Sequence, residues 1–174
     1  MNDVARSAST NRDATAGATS ATPGVRVAAV GAQEEVVAEL LGHYFAELDA
    51  RFLSGFQPEP SDLSTDEYAP PRGTFLIAYD GDRPIGCGAL RPLSQSVGEI
   101  KRMWVNPRER SRGVARQLLF ALEEAARNLG YGAIRLDTNE QLREAIALYS
   151  SSEYHDIAPY NANPHSGRWF EKLL

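Results

Sequence analysis

Residues 97–128 constrain the fold of this chain more than any other stretch. Residues 97–105 read as a strand, and Asn106-Pro107 stops it. Lys101, Arg102, Arg108, Arg110, Arg112 and Arg116 crowd the strand end and the turn, against the single Glu109. Gly113 then opens an amphipathic helix over 113–128, with Leu118, Leu119, Leu122, Ala125 and Ala126 on its inward face. Gly130 ends it. Strand, basic turn and helix in that order point to a layered α/β domain with an anion held at the helix start.

The charge supports that reading. Residues 101–116 carry +5 in a chain of net −5, so the remainder carries −10. Unpaired N–H groups at a helix N-terminus amount to roughly half a positive charge. Gly113 lets the backbone approach a ligand closely, and Ala115 is the next-smallest residue. A pyrophosphate seat built from main-chain donors and helped by arginines follows. A solvated basic helix start accounts for the same residues. A Walker loop would end in Gly-Lys-Ser/Thr, and a dinucleotide site would show GxGxxG after a strand; neither pattern is present.

The rest of the chain frames this motif. Strands are expected over 25–30, 73–79, 83–90, 133–137, 154–157 and 168–173, and helices over 33–49 and 142–150. Asp80-Gly81 is a hairpin turn. The proline-rich residues 50–72 suggest a short helix and then a loop. Residues 1–24, rich in Ala, Ser and Thr, read as a disordered tail before one domain over 25–174. No segment approaches the roughly 20 apolar residues of a membrane helix, so no membrane contact and a cytoplasmic location are expected. The net charge of −5 argues against nucleic acid as a partner. The sole cysteine, Cys87, reads as a small buried hydrophobe. His43, His155 and His165 are too scattered for a metal site, so no metal is expected.

Arg110-Ser111-Arg112-Gly113-Val114-Ala115 resembles the hallmark Gln/Arg-x-x-Gly-x-Gly/Ala of the GNAT superfamily of acyl-CoA-dependent N-acyltransferases. Gly98 to Pro107 looks like that family's fourth strand and its exit, and Ala145-Ile146-Ala147-Leu148-Tyr149 resembles its fourth helix. The likeness covers residues 25–174. It departs at Glu153, where the family often has Gly, and at Leu142, where it often has Asn. The fold implied is a mixed, mostly antiparallel sheet of six or seven strands flanked by helices, splayed between strands four and five by a bulge in strand four.

The resemblance also implies an activity: transfer of an acetyl group from acetyl-CoA, as co-substrate, to a primary amine of a small molecule within a ternary complex. Arg110, Ser111, Arg112, Gly113, Val114, Ala115 and Arg116 would then hold the pyrophosphate, with Met103, Trp104 and Val105 along the pantetheine arm. A main-chain N–H near Met103 would steady the oxyanion. Glu99 is the candidate base and Tyr149 the candidate acid for the leaving thiolate. Asn139 and Glu140 would contact coenzyme or substrate, and Tyr160, Asn161, Asn163 and His165 the acceptor. Family members are often dimers, which makes a homodimer an expectation. A protein or peptide acetyltransferase and a non-catalytic coenzyme A sensor remain alternatives, and the acidic remainder favours a cationic acceptor such as a polyamine.

Overall fold

A computed structural model describes residues 24–59 and 64–174. All but the last residue of the expected tail lies outside that range. The described elements are β1 (Val25–Val30), α1 (Glu35–Arg51), β2 (Thr74–Asp80), β3 (Arg83–Pro92), β4 (Val97–Val105), α2 (Val114–Asn128), β5 (Ala133–Thr138), α3 (Arg143–Ser150), β6 (His155–Asp156) and β7 (Arg168–Leu173). The sheet order is β1-β2-β3-β4-β5-β7-β6. β4 and β5 run parallel, and the other pairings are antiparallel.

Both faces of the sheet are covered, because the central strands are apolar on both sides. Leu76, Ala78, Ile85 and Leu90 pack under Leu118, Leu119, Leu122 and Ala126 of α2. Phe75, Ile77, Cys87 and Ala89 face Val37, Leu40, Leu41, Phe45 and Leu48 of α1. Burying each such large side chain stabilises by about 1.5–3 kcal/mol. Gly88 permits the close approach of α2, since a Cβ there would stand 2.8 Å from Leu122 Cδ1.

The strand that matters most is β4. Opposite β3, Cys87 faces Trp104 and Ala89 faces Lys101, so two steps on β3 meet three on β4. Arg102 absorbs the extra residue with a left-handed φ of 59°. Pairing of β4 with β5 ends at Glu99 opposite Arg135. Beyond that point the two strands part, and the bulge and splay implied by the resemblance are both present.

The structure departs from the sequence reading in a few places. α1 runs on to Arg51, where Arg51 bonds Glu47 one turn back and Glu144 of α3. In place of a short helix, a single 3-10 turn covers Asp66–Tyr68. β6 keeps only two residues, since Tyr154 turns into the core. Glu153, standing where relatives often carry Gly, adopts the left-handed φ of 67° that glycine takes freely. Leu142 is the N-cap of α3 and offers no side-chain cap, the service an Asn would supply there. Among the described residues, no helix is long and apolar enough to cross a membrane.

Candidate active site

The turn after β4 is built by local chemistry. Pro107–Glu109 forms a 3-10 turn, and Asn106 Oδ1 accepts a hydrogen bond from the Arg108 amide at 3.0 Å. Ser111 and Gly113 follow with φ of 62° and 80°. Gly113 is the N-cap of α2 and provides no side-chain cap. The Gln117 amide bonds the Gly113 carbonyl at 3.1 Å. The amides of Val114, Ala115 and Arg116 therefore have no partner among the described residues and add to the positive helix end. They open into a cavity of about 810 Å³ that is also lined by Met103, Trp104, Val105, Arg110, Ser111 and Gly113.

The cations of this region do not form one patch, because acids from distant parts of the chain divide them. Arg112 pairs with Asp80 and Glu109 and does not line the cavity. Arg110 donates through Nε to the Val105 carbonyl at 3.0 Å and through Nη2 to both Glu47 oxygens. Arg116 reaches Ser151 Oγ at 3.1 Å. Lys101 bonds Asp137, and Arg102 lies over the Phe45 ring. What remains for an anion is chiefly main-chain N–H, with Arg110 and Arg116 at the margin.

A second cavity, of about 350 Å³, lies beyond the opened β4–β5 gap. Its floor includes Ile100, Lys101, Arg102 and Asp137, and Phe52, Phe56, Asn161, Asn163, His165 and Ser166 form other walls. Tyr44, Leu48, Met103, Leu142, Ala145 and Tyr149 line both cavities, so the two meet at these residues.

Comparison with known proteins decides the family. The profile of the Acetyltransferase (GNAT) family matches residues 41–154. The chain belongs to this family. It is 33% identical over 150 residues to the IAA acetyltransferase of Azospirillum brasilense, covering 83% of this chain and 95% of that one. An acyl-CoA N-acyltransferase structure from Klebsiella pneumoniae superposes with a TM-score of 0.67 at 27% identity, over 86% of this chain and 97% of that one. A GNAT acetyltransferase from Elizabethkingia anophelis, solved with acetyl-CoA bound, shares the fold at TM-score 0.65 and 18% identity, over 87% and 99% of the two chains. The protein is thus an acetyltransferase of the GNAT fold.

Within this GNAT frame the remaining site residues fall into place unevenly. Tyr149, on α3, is buried and packs against Tyr154 and Phe170. Its hydroxyl has no hydrogen-bond partner among the described residues. Burial raises its phenol above the ordinary value, and the nearby Tyr44 and Asp137 add to this. Glu99 is fully buried and lines neither cavity. Its carboxylate accepts from Arg91 Nε at 2.6 Å and from the Tyr160 hydroxyl at 2.8 Å. Lys101 Nζ stands 3.6 Å away. Asn139 lines the second cavity rather than the first, and its side chain bonds the His165 carbonyl and the Gln141 amide. It fastens loop to loop beside the second cavity.

Two acids went unnoticed in the sequence reading. Glu47 of α1 lines the first cavity and accepts from Arg110, Arg51 and Trp104 Nε1. Burial works to raise its carboxyl, but these three donors hold it below the usual range. The spacing Tyr44, Glu47, Arg51 on one helical face was the available signal. Asp137, at the end of β5, lines the second cavity. Burial is again outweighed, here by Lys101, Ser166 and Asn163, and its carboxyl falls to about 2. Lys101, in turn, is held above the usual lysine value despite burial, by Asp137 and Glu99.

Proposed function

We propose that this chain transfers an acetyl group from acetyl-CoA to the primary amine of a small molecule, by direct attack in a ternary complex. The observation that carries the reading is the meeting of two cavities at Met103 and Tyr149. One is headed by unpaired helix amides. The other is polar and about 350 Å³, the size of a small-molecule pocket. The coenzyme fits the first cavity, since its diphosphate needs main-chain donors and its arm needs an open strand edge. It supplies the thioester. The amides of Val114, Ala115 and Arg116 hold the diphosphate, and the β4 edge at Met103 holds the arm near the junction.

A primary amine with a reference pKa near 10.4 is almost wholly protonated at pH 7. Over the reaction the protonated acceptor loses two protons, one to solvent before attack and one as the amide forms, and the leaving sulfur gains one. Tyr149 donates to the sulfur. In water, transfer from a phenol near pKa 10 to a thiolate near 8.5 is uphill by about 2 kcal/mol. Burial of Tyr149 enlarges that gap. The proton therefore moves as the C–S bond breaks, not before. Glu99, tied to Arg91 and Tyr160, serves as the counter-charge that positions Arg91 and Lys101 behind the acceptor.

The test is a thiol-release assay with acetyl-CoA over a panel of amines, amino acids and peptides. Amine-dependent release of free coenzyme is expected. Tight coenzyme binding with no release above background on every acceptor would replace the enzyme by a coenzyme sensor, and release on peptides alone would make it a protein acetyltransferase.

A further inference from the structure

The charged groups around the acceptor cavity do not face it equally. Arg91 and Lys101 line it with side chains 29% and 16% exposed. The carboxylates that balance them are withdrawn: Asp137 is 2% exposed and Glu99 is 0%. Glu67 stands at the rim and is already paired with Arg91. Asp137 is further saturated by Asn163 and Ser166. Cationic N–H groups therefore reach the cavity, while Glu99 stays behind its wall and the lining acids Asp137 and Glu67 are spent on hydrogen bonds and ion pairs within the chain. A second ammonium on the acceptor would find no uncommitted carboxylate among the described residues that line this space. A carboxylate would find charge-assisted donors, the strong class of hydrogen bond.

The other wall is aromatic. His165 stacks on Phe52 with ring centres 5.9 Å apart and meets Phe56 edge-on at 4.9 Å. These rings offer flat apolar surface opposite the cationic floor.

Resting on the proposed acetyltransfer, we infer that the acceptor is an amine bearing its own carboxylate, of the amino-acid class, with the carboxylate on Arg91 and Lys101 and an apolar side chain against Phe52, Phe56 and His165. The arrangement aids the chemistry as well as the binding. A cation beside an amine disfavours its protonated form. Lys101 keeps its charge, so it helps the acceptor ammonium to release its proton to solvent water before attack. The polyamine acceptor suggested by the acidic remainder of the chain is disfavoured by the same wall.

The experiment compares each acceptor with its decarboxylated partner on the full chain with acetyl-CoA: phenylalanine against phenethylamine, leucine against isoamylamine, with spermidine as a third arm. At least roughly tenfold higher kcat/KM for the amino acids is expected, and least for spermidine. Simple amines equal to or better than amino acids, or spermidine best of all, would overturn the inference and leave acetyltransfer standing. No turnover of any amine while acetyl-CoA still binds would sink both. Arg91→Gln should raise KM for phenylalanine by a larger factor than for phenethylamine; an equal rise in both would count against the assignment. Should removal of Arg91 beside buried Glu99 unfold the chain, Arg91→Lys keeps the charge and loses the guanidinium fork, and is expected to raise KM for phenylalanine more than for phenethylamine by a smaller factor.

Discussion

Glu47 of α1 accepts two hydrogen bonds from the Arg110 guanidinium, at 2.8 and 2.6 Å, beside the cavity proposed for the coenzyme. A carboxylate inside an anion site opposes the anion directly and also occupies an arginine the anion would use. Glu47→Gln removes the charge and keeps an acceptor for Trp104 Nε1. At this partly exposed position the gain is about 0.5–1 kcal/mol after solvent screening, or a two- to fivefold lower Kd for acetyl-CoA. Calorimetric titration at low and high salt checks this. Weaker binding by the variant would show that Glu47 supports the loop more than it opposes the ligand.

Gly113 holds a φ of 80° at the point where α2 begins. A β-branched side chain in that left-handed conformation is a steric outlier and costs at least about 1–2 kcal/mol. Relief comes from turning the backbone, which re-aims the amides of Val114 and Ala115. Gly113→Val should therefore weaken acetyl-CoA by roughly tenfold or more while the melt of the remaining domain stays cooperative. Unchanged affinity would contradict the assignment of this turn to the diphosphate.

Tyr149 presents a hydroxyl that no described residue engages, so removing it deprives the fold of nothing. Tyr149→Phe should leave the midpoint of thermal unfolding and the coenzyme Kd close to the parent values. Turnover should fall by about a hundredfold, the lower end of what a lost general acid costs. Equal rates for variant and parent would end its role as the acid.

Glu99 makes a contrasting prediction, because it touches no cavity. Glu99→Gln keeps an acceptor for Arg91, turns its NH2 to the Tyr160 hydroxyl, which can accept, and removes the counter-charge. If Glu99 positions Arg91 and Lys101, KM for the acceptor rises while the pH profile of kcat keeps its shape. A displaced acid limb in that profile would instead return the carboxylate to proton transfer. Steady-state kinetics over pH distinguish the two.

What the sequence made legible is local. The Asn106-Pro107 stop, the glycine at φ 80° and the leucine spacing of α2 lie within a short stretch, and the anion donors are backbone amides. The turn could therefore be read without knowing what packs on it. Which arginine faces the ligand was not legible. Arg110 and Arg112 differ by two positions, yet one turns to Glu47 and the other to Asp80 as well as its neighbour Glu109; Glu47 and Asp80 are partners set by tertiary folding. Glu99 shows the same limit: its strand position could be read, but its burial depends on Arg91 and on Tyr160, 61 residues away. Of the second cavity, assembled from α1, β3, β4, β5 and the loop before β7, the sequence pointed only to the loop residues Asn161, Asn163 and His165 as acceptor contacts, because the other walls come together through tertiary folding.

Asp137 ties that loop to the sheet, and its titration gives the last prediction. Burial alone would raise its carboxyl, but Lys101, Ser166 and Asn163 lower it from an ordinary 3.8 to about 2. A folded value below the unfolded one means the unfolded chain binds the proton more readily. The contribution is thus fully present above pH 4 and lost as pH falls through 2. It amounts to about 2 kcal/mol. Asp137→Asn should lose most of this at neutral pH and flatten the acid limb of stability between pH 4 and 2, measured by denaturant titration at each pH. An acid limb as steep in the variant as in the parent would assign the acid sensitivity to other carboxylates.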